Sequence, residues 1–404
     1  MLDVDRVRAD FPILGTKVNG RPLVYFDNSA TAQKPVQVMD AVREAYEVHN
    51  SNIHRGVHHL SDVMSGLYED ARNKVAKFIN AREEEVLFTA GTTQGINMLA
   101  ACLAESEIGK GDVVLLSEME HHSNIIPWQM ACAKVGASIR VLPIKDDGSI
   151  SIDGLSDILD EKVKLLAISQ VSNVLGMVNP IKKITQACHE NGTLVMVDGA
   201  QSVPHLKTDV KELDCDFLVF SGHKLHAETG IGVLFGKKDL LEELPPTQGG
   251  GGMVDKVTMT SSTYAEVPQR FESGTPNYVG AISLAAAIDY MMSLGMDDII
   301  EHEKVLNREM MRSLGRIEGV TVYGDGAERC PIYSFNIRGL HPYDIGQILD
   351  KMGIAVRTGN HCAQPLMARL GISGTVRASL SFYNTVEEIS DFIDGLEKAV
   401  SILE

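Results

Sequence analysis

The stretches TLVMVDGAQS (193–202) and DCDFLVFSGHK (214–224) carry the reading of the fold. Each is a short β-branched or aromatic run that ends abruptly in polar residues: Asp198, Gly199 and Gln201 in the first, and Ser221, Gly222, His223 and Lys224 in the second. Strands that are apolar on both faces belong to a mostly parallel sheet covered by helices on both sides. Similar runs lie around them: VLFT (86–89), VVLL (113–116), IRVL (139–142), KLLAIS (164–169) and IGVLF (231–235). Between several of these lie helical patterns. Ile96, Leu99, Ala100 and Leu103 share one helical face, as do Ile181, Ile184 and Ala187 behind Pro180, with Asn191-Gly192 as a stop. The expectation is an α/β fold with a mostly parallel seven-stranded sheet. The last two runs are too close for a helical crossover, so one strand there should be antiparallel.

After the Gly-rich segment Gln248 to Gly252 the pattern changes. Helical stretches (281–294 and 297–317) lead into VTVY (320–323), IYSFNI (332–337), a helix after Pro342, IAV (354–356), VRASLS (376–381) and a last helix to Leu403. This reads as a smaller α+β unit. The expected division is a large domain over 21–292, with 1–20 and 293–404 forming the small one, although the first twenty residues have the composition to pack on either.

The 404 residues are 44% hydrophobic and 23% charged, which suits a globular chain. With 37 Lys and Arg against 54 Asp and Glu, a net charge of -17 argues against nucleic acid or an anionic membrane as partner. No apolar run approaches the roughly 18 residues of a membrane span, and the first residues lack the apolar stretch of a secretory signal. A cytoplasmic protein is expected. The six cysteines are scattered without a CxxC pair, so neither a disulfide framework nor a metal site is expected, and most should be buried thiols.

No Walker A pattern and no GxGxxG after a strand occurs. Instead VLFT runs into Ala90-Gly91-Thr92-Thr93 and a helix, which sets hydroxyls and free N–H groups where an anion is stabilised. Asp198 ends a central strand, where open sheets bind ligands. Lys224 ends the next one, where desolvation lowers an amine's pKa and makes it a nucleophile toward aldehydes. An acid to protonate a pyridine nitrogen, an amine to bind an aldehyde and a phosphate cup are the requirements of pyridoxal phosphate.

The strings DNSATAQKP (27–35), SNIHRGVHHLS (51–61), FTAGTTQGIN (88–97), EMEHHSNIIPWQ (118–129), SQVSNVLG (169–176), VDGAQS (197–202), RFESGTPN (270–277) and RTGNHCAQPLM (357–367) resemble those of the class V aminotransferases, a family of fold-type I pyridoxal phosphate enzymes. Within it they are most similar to the SUF-type (group II) cysteine desulfurases, also described as selenocysteine lyases. The resemblance implies that Lys224 binds the cofactor aldehyde, Asp198 pairs with the ring nitrogen and Gln201 bonds the phenolic oxygen. Thr92, Thr93, Ser221 and His223 would hold the phosphate, with Thr275 reaching it from the second subunit of a homodimer. His121 would stack on the ring and move protons. Arg377 would bind the substrate carboxylate, with Asn173, His54 and Arg357 lining the same pocket.

Cys362 lies in a polar turn segment, Thr358 to His361, beside an imidazole and near Arg357, surroundings that favour a thiolate. The resemblance makes it the nucleophile that takes sulfur from L-cysteine as a persulfide, releasing L-alanine. The short stretch between Arg357 and Arg377 keeps this loop near the pocket, so a small sulfur-acceptor protein of the SUF system should come to it for iron–sulfur cluster assembly. His341 to Asp344 resembles the region where zinc-dependent acceptors dock in the family, which leaves the acceptor's type open. Selenocysteine lyase activity and a non-catalytic sulfur-assembly subunit are the alternatives. One departure stands out: the family's Gly-Pro after the lysine is Ala227-Glu228 here, preceded by His226. The loop path is therefore expected to differ, with Glu228 either near the phosphate or facing solvent.

Overall fold

The computed structural model describes residues 2–324 and 328–404. The seven runs all form strands of one sheet: β1 (Val86–Thr89), β2 (Val113–Ser117), β3 (Ser138–Leu142), β4 (Val163–Ser169), β5 (Leu194–Asp198), β6 (Phe217–Ser221) and β7 (Gly232–Gly236). Their order across the sheet is β1-β7-β6-β5-β4-β2-β3. The five strands β2 to β6 are mutually parallel, and β7 runs antiparallel to both β1 and β6, as the short β6–β7 connection requires.

Successive strand residues point to opposite faces, and the burial follows that alternation. Leu115, Leu166, Ile168, Val195, Val197, Leu218 and Phe220 fill a core on one face. Val114, Leu116, Leu165, Ala167, Met196, Phe217 and Val219 fill the core on the other. Helix Thr92–Ser106 lays Ile96, Leu99 and Leu103 on the second face beside Trp128 of helix Ile126–Val135. Helices His59–Phe78, Ile181–Glu190 and Tyr278–Leu294 cover the first.

The C-terminal part builds a second sheet of four antiparallel strands, in the order Val320–Val322, Ile332–Ile337, Thr375–Ser379, Arg357–Gly359. Helices Met296–Leu314, Pro342–Lys351 and Val386–Leu403 close over it on Leu306, Leu349, Phe335, Phe392 and Leu396. The strand Arg357–Gly359 is three residues long and ends on glycine, which is depleted in strands, so the sequence does not announce it. Ile354–Ala355 pairs in parallel with Val24–Tyr25 near the N-terminus. The first residues touch both halves. Phe11 packs its ring on His226 and Tyr290 on one side and on Phe382 and Tyr383 on the other. Among the described residues no single helix is long and apolar enough to cross a membrane.

Candidate active site

The carboxyl ends of β4, β5 and β6 open into a cavity of about 230 Å³, closed from the other side by the second sheet. Its walls carry Thr92, Thr93, His121, Asn173, Asp198, Gln201, Ser221, His223, Lys224, Arg357, Cys362 and Arg377. These are all the candidate residues except His54 and Thr275.

Asp198 ends β5 with its carboxylate accepting from the Ala200 N–H at 2.9 Å. Burial raises its pKa, while that N–H and Lys224 act in the opposite sense. The one-turn helix Gly222–Lys224 continues β6 and presents Lys224. Burial pushes the Lys224 pKa down to about 8; Asp198 opposes this, and the cations Arg377 and Arg357 reinforce it. Gln201 donates its amide to the Ser29 carbonyl at 2.9 Å.

The anion cup is built across three strands. Helix Thr92–Ser106 begins behind Gly91 (φ 145°) without a side-chain cap. The Thr92 N–H instead donates to Ser221 Oγ at 2.9 Å, and the two hydroxyls share a hydrogen bond of 2.8 Å. Thr92 follows β1 and Ser221 ends β6, with β7 between them. The crossing passes over Gly232, where a Cβ would lie 2.5 Å from Gly91 Cα. Burial and the nearby Lys224 lower the His223 pKa to about 4, so its ring is neutral.

Above these residues stands the turn Glu120 to Asn124. The Glu120 carboxylate is fully buried and accepts from the hydroxyl and N–H of Ser169, from Ser117 Oγ and from Asn124 Nδ2. His121 follows it. Its Nδ1 accepts from the Ser123 N–H at 3.0 Å, which leaves the ring proton of the neutral form on Nε2. Burial, then the charge of Lys224, lowers its pKa to about 3. Ser123 in turn shares a hydrogen bond of 2.8 Å with Thr93.

Arg377 enters from strand Thr375–Ser379. It donates Nη1 to the Asn173 carbonyl at 3.0 Å and Nη2 to Asp27 at 3.4 Å, while its buried Nε has no partner among the described residues. Asp27 lies 3.9 Å from Arg357 as well; burial raises its pKa against the pull of both arginines. Only four residues, Asn360 to Ala363, separate strand Arg357–Gly359 from helix Gln364–Leu370. His361 and Cys362 adopt φ of 51° and 56°, a left-handed conformation that costs on the order of 1 kcal/mol or more for each non-glycine residue. Hydrogen bonds from outside hold the loop. Asn173 Nδ2 donates to the His361 carbonyl at 2.8 Å, and the His122 N–H donates to the Cys362 carbonyl at 2.7 Å. The His361 ring bonds Thr375 through Nε2 at 2.8 Å and leaves a buried Nδ1 without a partner.

Two candidates stand elsewhere in the single chain. His54 bonds Glu69 at 2.9 Å and meets the edge of Tyr68. Thr275 is exposed on the segment after Glu272. The altered loop keeps Glu228 half-buried and off the cavity wall, its N–H donating to Ser283 Oγ at 3.2 Å. Its left-handed residue is His226 (φ 65°) and not Ala227, so the expected strain from losing a glycine falls one residue earlier. His226 is buried, bonds the Gln33 carbonyl through Nδ1 at 2.9 Å and packs on Phe382, away from the cavity. Cys102, Cys132, Cys188, Cys215 and Cys330 are buried, as expected, and Cys362 is partly open. Asp27, Ser29, Ser123 and Ser169 also belong to the site, and all lie inside the quoted strings.

A buried acid and an amine of lowered pKa on adjacent strand ends, under a phosphate cup, match the family to which this chain compares. Residues 24–392 fit the family model for aminotransferase class V, and the chain belongs to that family. It is 48% identical to the cysteine desulfurase of Escherichia coli O17:K52:H18 over 402 residues, 99% of each chain. Its fold also matches two solved structures. One is the E. coli cysteine desulfurase CsdA in an S-sulfonic acid form, with a TM-score of 0.92 and 36% identity over 100% of both chains. The other is the apo cysteine desulfurase of Thermococcus onnurineus NA1, with a TM-score of 0.94 and 37% identity over 100% of this chain and 99% of that one.

Proposed function

We propose that this chain is a pyridoxal phosphate-dependent cysteine desulfurase that converts L-cysteine to L-alanine and leaves a persulfide on Cys362. The carrying observation is that Lys224, at the end of a strand of the large sheet, and Cys362 and Arg377, from a C-terminal stretch far away in the sequence, line one cavity. The donor set fits the cofactor. Asp198 suits a pyridinium nitrogen, the amine of Lys224 an aldehyde, and Thr92, Thr93, Ser221 and His223 a phosphate at an uncapped helix start. The buried Arg377 Nε and Ser29 Oγ are further polar atoms of the site without a partner among the described residues.

When bound, pyridoxal phosphate supplies an electron sink for the pair left by removal of the substrate Cα proton. Arg377 clamps the substrate carboxylate through its planar guanidinium. Lys224, whose pKa burial lowers to about 8, would remove and return the proton. His121, neutral with its proton on Nε2, lines the cavity where the cofactor ring would lie and would move a proton there. Cys362 Sγ bonds the substrate sulfur as the Cβ–S bond breaks, which leaves a persulfide and, after proton return, L-alanine. Replacing Cys362 by Ala should abolish persulfide and alanine formation and keep the absorbance of bound cofactor. Alanine release at the wild-type rate in that variant would overturn the assignment.

The active unit on this reading is a homodimer in which Thr275 completes the phosphate cup of the second copy. The exposure of Thr275, and of Val57, Val257 and Met259, supports it. The tethered loop supports delivery of sulfur to a small acceptor protein that approaches Cys362, for iron–sulfur cluster assembly, and Tyr343 offers an exposed aromatic beside His341. Six unpaired thiols fit the reducing cytoplasm.

A further inference from the structure

Three consecutive residues of the turn above the cavity each reach a different part of it. His121 forms its wall, Ser123 bonds Thr93 of the anion cup, and His122, between them, faces the cysteine loop. His122 makes two contacts there. Its N–H donates to the Cys362 carbonyl at 2.7 Å, and its ring Nε2 accepts the N–H of Gln364 at 3.1 Å. The second bond matters because helix Gln364–Leu370 starts after Ala363, which has no side chain able to cap it. An N–H at that position otherwise turns to water. The loop before it carries two consecutive left-handed residues, and within it Asn360 braces them, through its Oδ1 to the Cys362 N–H at 3.0 Å and its carbonyl to the Ala363 N–H at 2.9 Å.

We propose that His122 is a positioning residue: its ring caps the chain two residues after Cys362, at Gln364, and fixes the thiol in its attacking pose toward the cavity. The ring makes no contact with substrate in this role. Glu120, through its four hydrogen bonds, fixes the turn from which His122 reaches, so the clamp is anchored in the parallel sheet and not in the C-terminal unit that carries the cysteine.

The effect on turnover rests on the desulfurase reading; the effect on the loop does not. The test compares cofactor-loaded wild type, His122→Ala and His122→Gln, since a glutamine oxygen reproduces the acceptor at the position of Nε2. The Ala variant keeps the main-chain bond and loses the ring bond. Alkylation of Cys362 by iodoacetamide, followed by peptide mass spectrometry, should become about tenfold faster in His122→Ala, the scale of one lost hydrogen bond, and return to within about twofold in His122→Gln. With L-cysteine, kcat should fall by a similar factor in the Ala variant while KM stays within about twofold, with partial recovery in the Gln variant. An alkylation rate unchanged in His122→Ala, or a Gln variant that behaves like Ala, overturns the proposal. If all three proteins lack desulfurase activity yet show the alkylation pattern, the desulfurase reading fails and the clamp stands.

Discussion

Asn173 and His361 are joined by a hydrogen bond of 2.8 Å from the side-chain amide of the first to the main-chain carbonyl of the second. The main-chain carbonyl of Asn173 also accepts from Arg377 at 3.0 Å, so one residue ties the carboxylate-binding guanidinium to the loop of the nucleophile. Removing the amide leaves a buried carbonyl without its donor, at a cost of about 1–3 kcal/mol. Asn173→Ala should therefore lower kcat/KM for L-cysteine by roughly tenfold to a hundredfold. Asn173→Asp should be worse, because it sets a carboxylate oxygen against a carbonyl oxygen. Steady-state alanine formation measures both.

The Lys224 amine should govern how fast the apoprotein captures pyridoxal phosphate. Its pKa is lowered to about 8 by burial, so the reactive neutral form is minor at pH 7 and dominant at pH 9. The capture rate, followed by the rise of cofactor absorbance, should climb through a midpoint near 8. Asp198 raises that pKa, so Asp198→Asn should move the midpoint down. A rate independent of pH between 7 and 9 contradicts this.

Thiol labelling should separate the cysteines. Burial pushes Cys102 up to about 11 and Cys188 and Cys215 up to about 12, so these remain protonated as well as shielded. Brief treatment of the folded protein with iodoacetamide should modify Cys362 alone, and treatment in guanidinium should modify all six cysteines. Intact-mass spectra count the adducts. Early labelling of any of the five buried residues would contradict the packing described.

How much of this was legible in the sequence follows from what sequence encodes locally. Strands buried on both faces announce themselves as unbroken apolar runs, and all seven ended within a residue or two of the expected place. Asp198 and Lys224 were visible because a strand's end fixes where its last residue points. Asp27 was not, since its role depends on Arg357 and Arg377, more than three hundred positions away. His54 and Thr275 stand apart from the cavity of this chain, and nothing local to those stretches tells whether a residue lies against it. The left-handed residue at His226 was also invisible: it is held by Gln33 and three aromatic rings contributed from both ends of the chain.

The segment bearing Thr275 should depend on an ion pair within the large unit. Glu272 accepts from Arg72 Nη1 and Nη2 at 2.8 and 2.9 Å, from Tyr68 Oη at 2.8 Å and from the Phe88 N–H at 2.9 Å. Arg72 is 1% exposed. Glu272→Ala leaves that guanidinium buried without its main counter-charge, which costs about 3–5 kcal/mol. The urea midpoint should fall markedly. A midpoint unchanged from wild type would show that water or Glu69 compensates.

The missing side chain at Gly232 has a consequence for how the anion cup tolerates change. The cup is a span: its two piers, Thr92 and Ser221, stand on strands that are not neighbours, and the loop between them crosses a strand kept low by an absent methyl group. A single added carbon there would meet Gly91 from below and Phe220 from beside, lifting one pier from the other without touching any residue that faces the cavity. A tight tolerance of the site thus lies beneath its floor, where the backbone of Gly91 and Phe220 leaves no room for a methyl group.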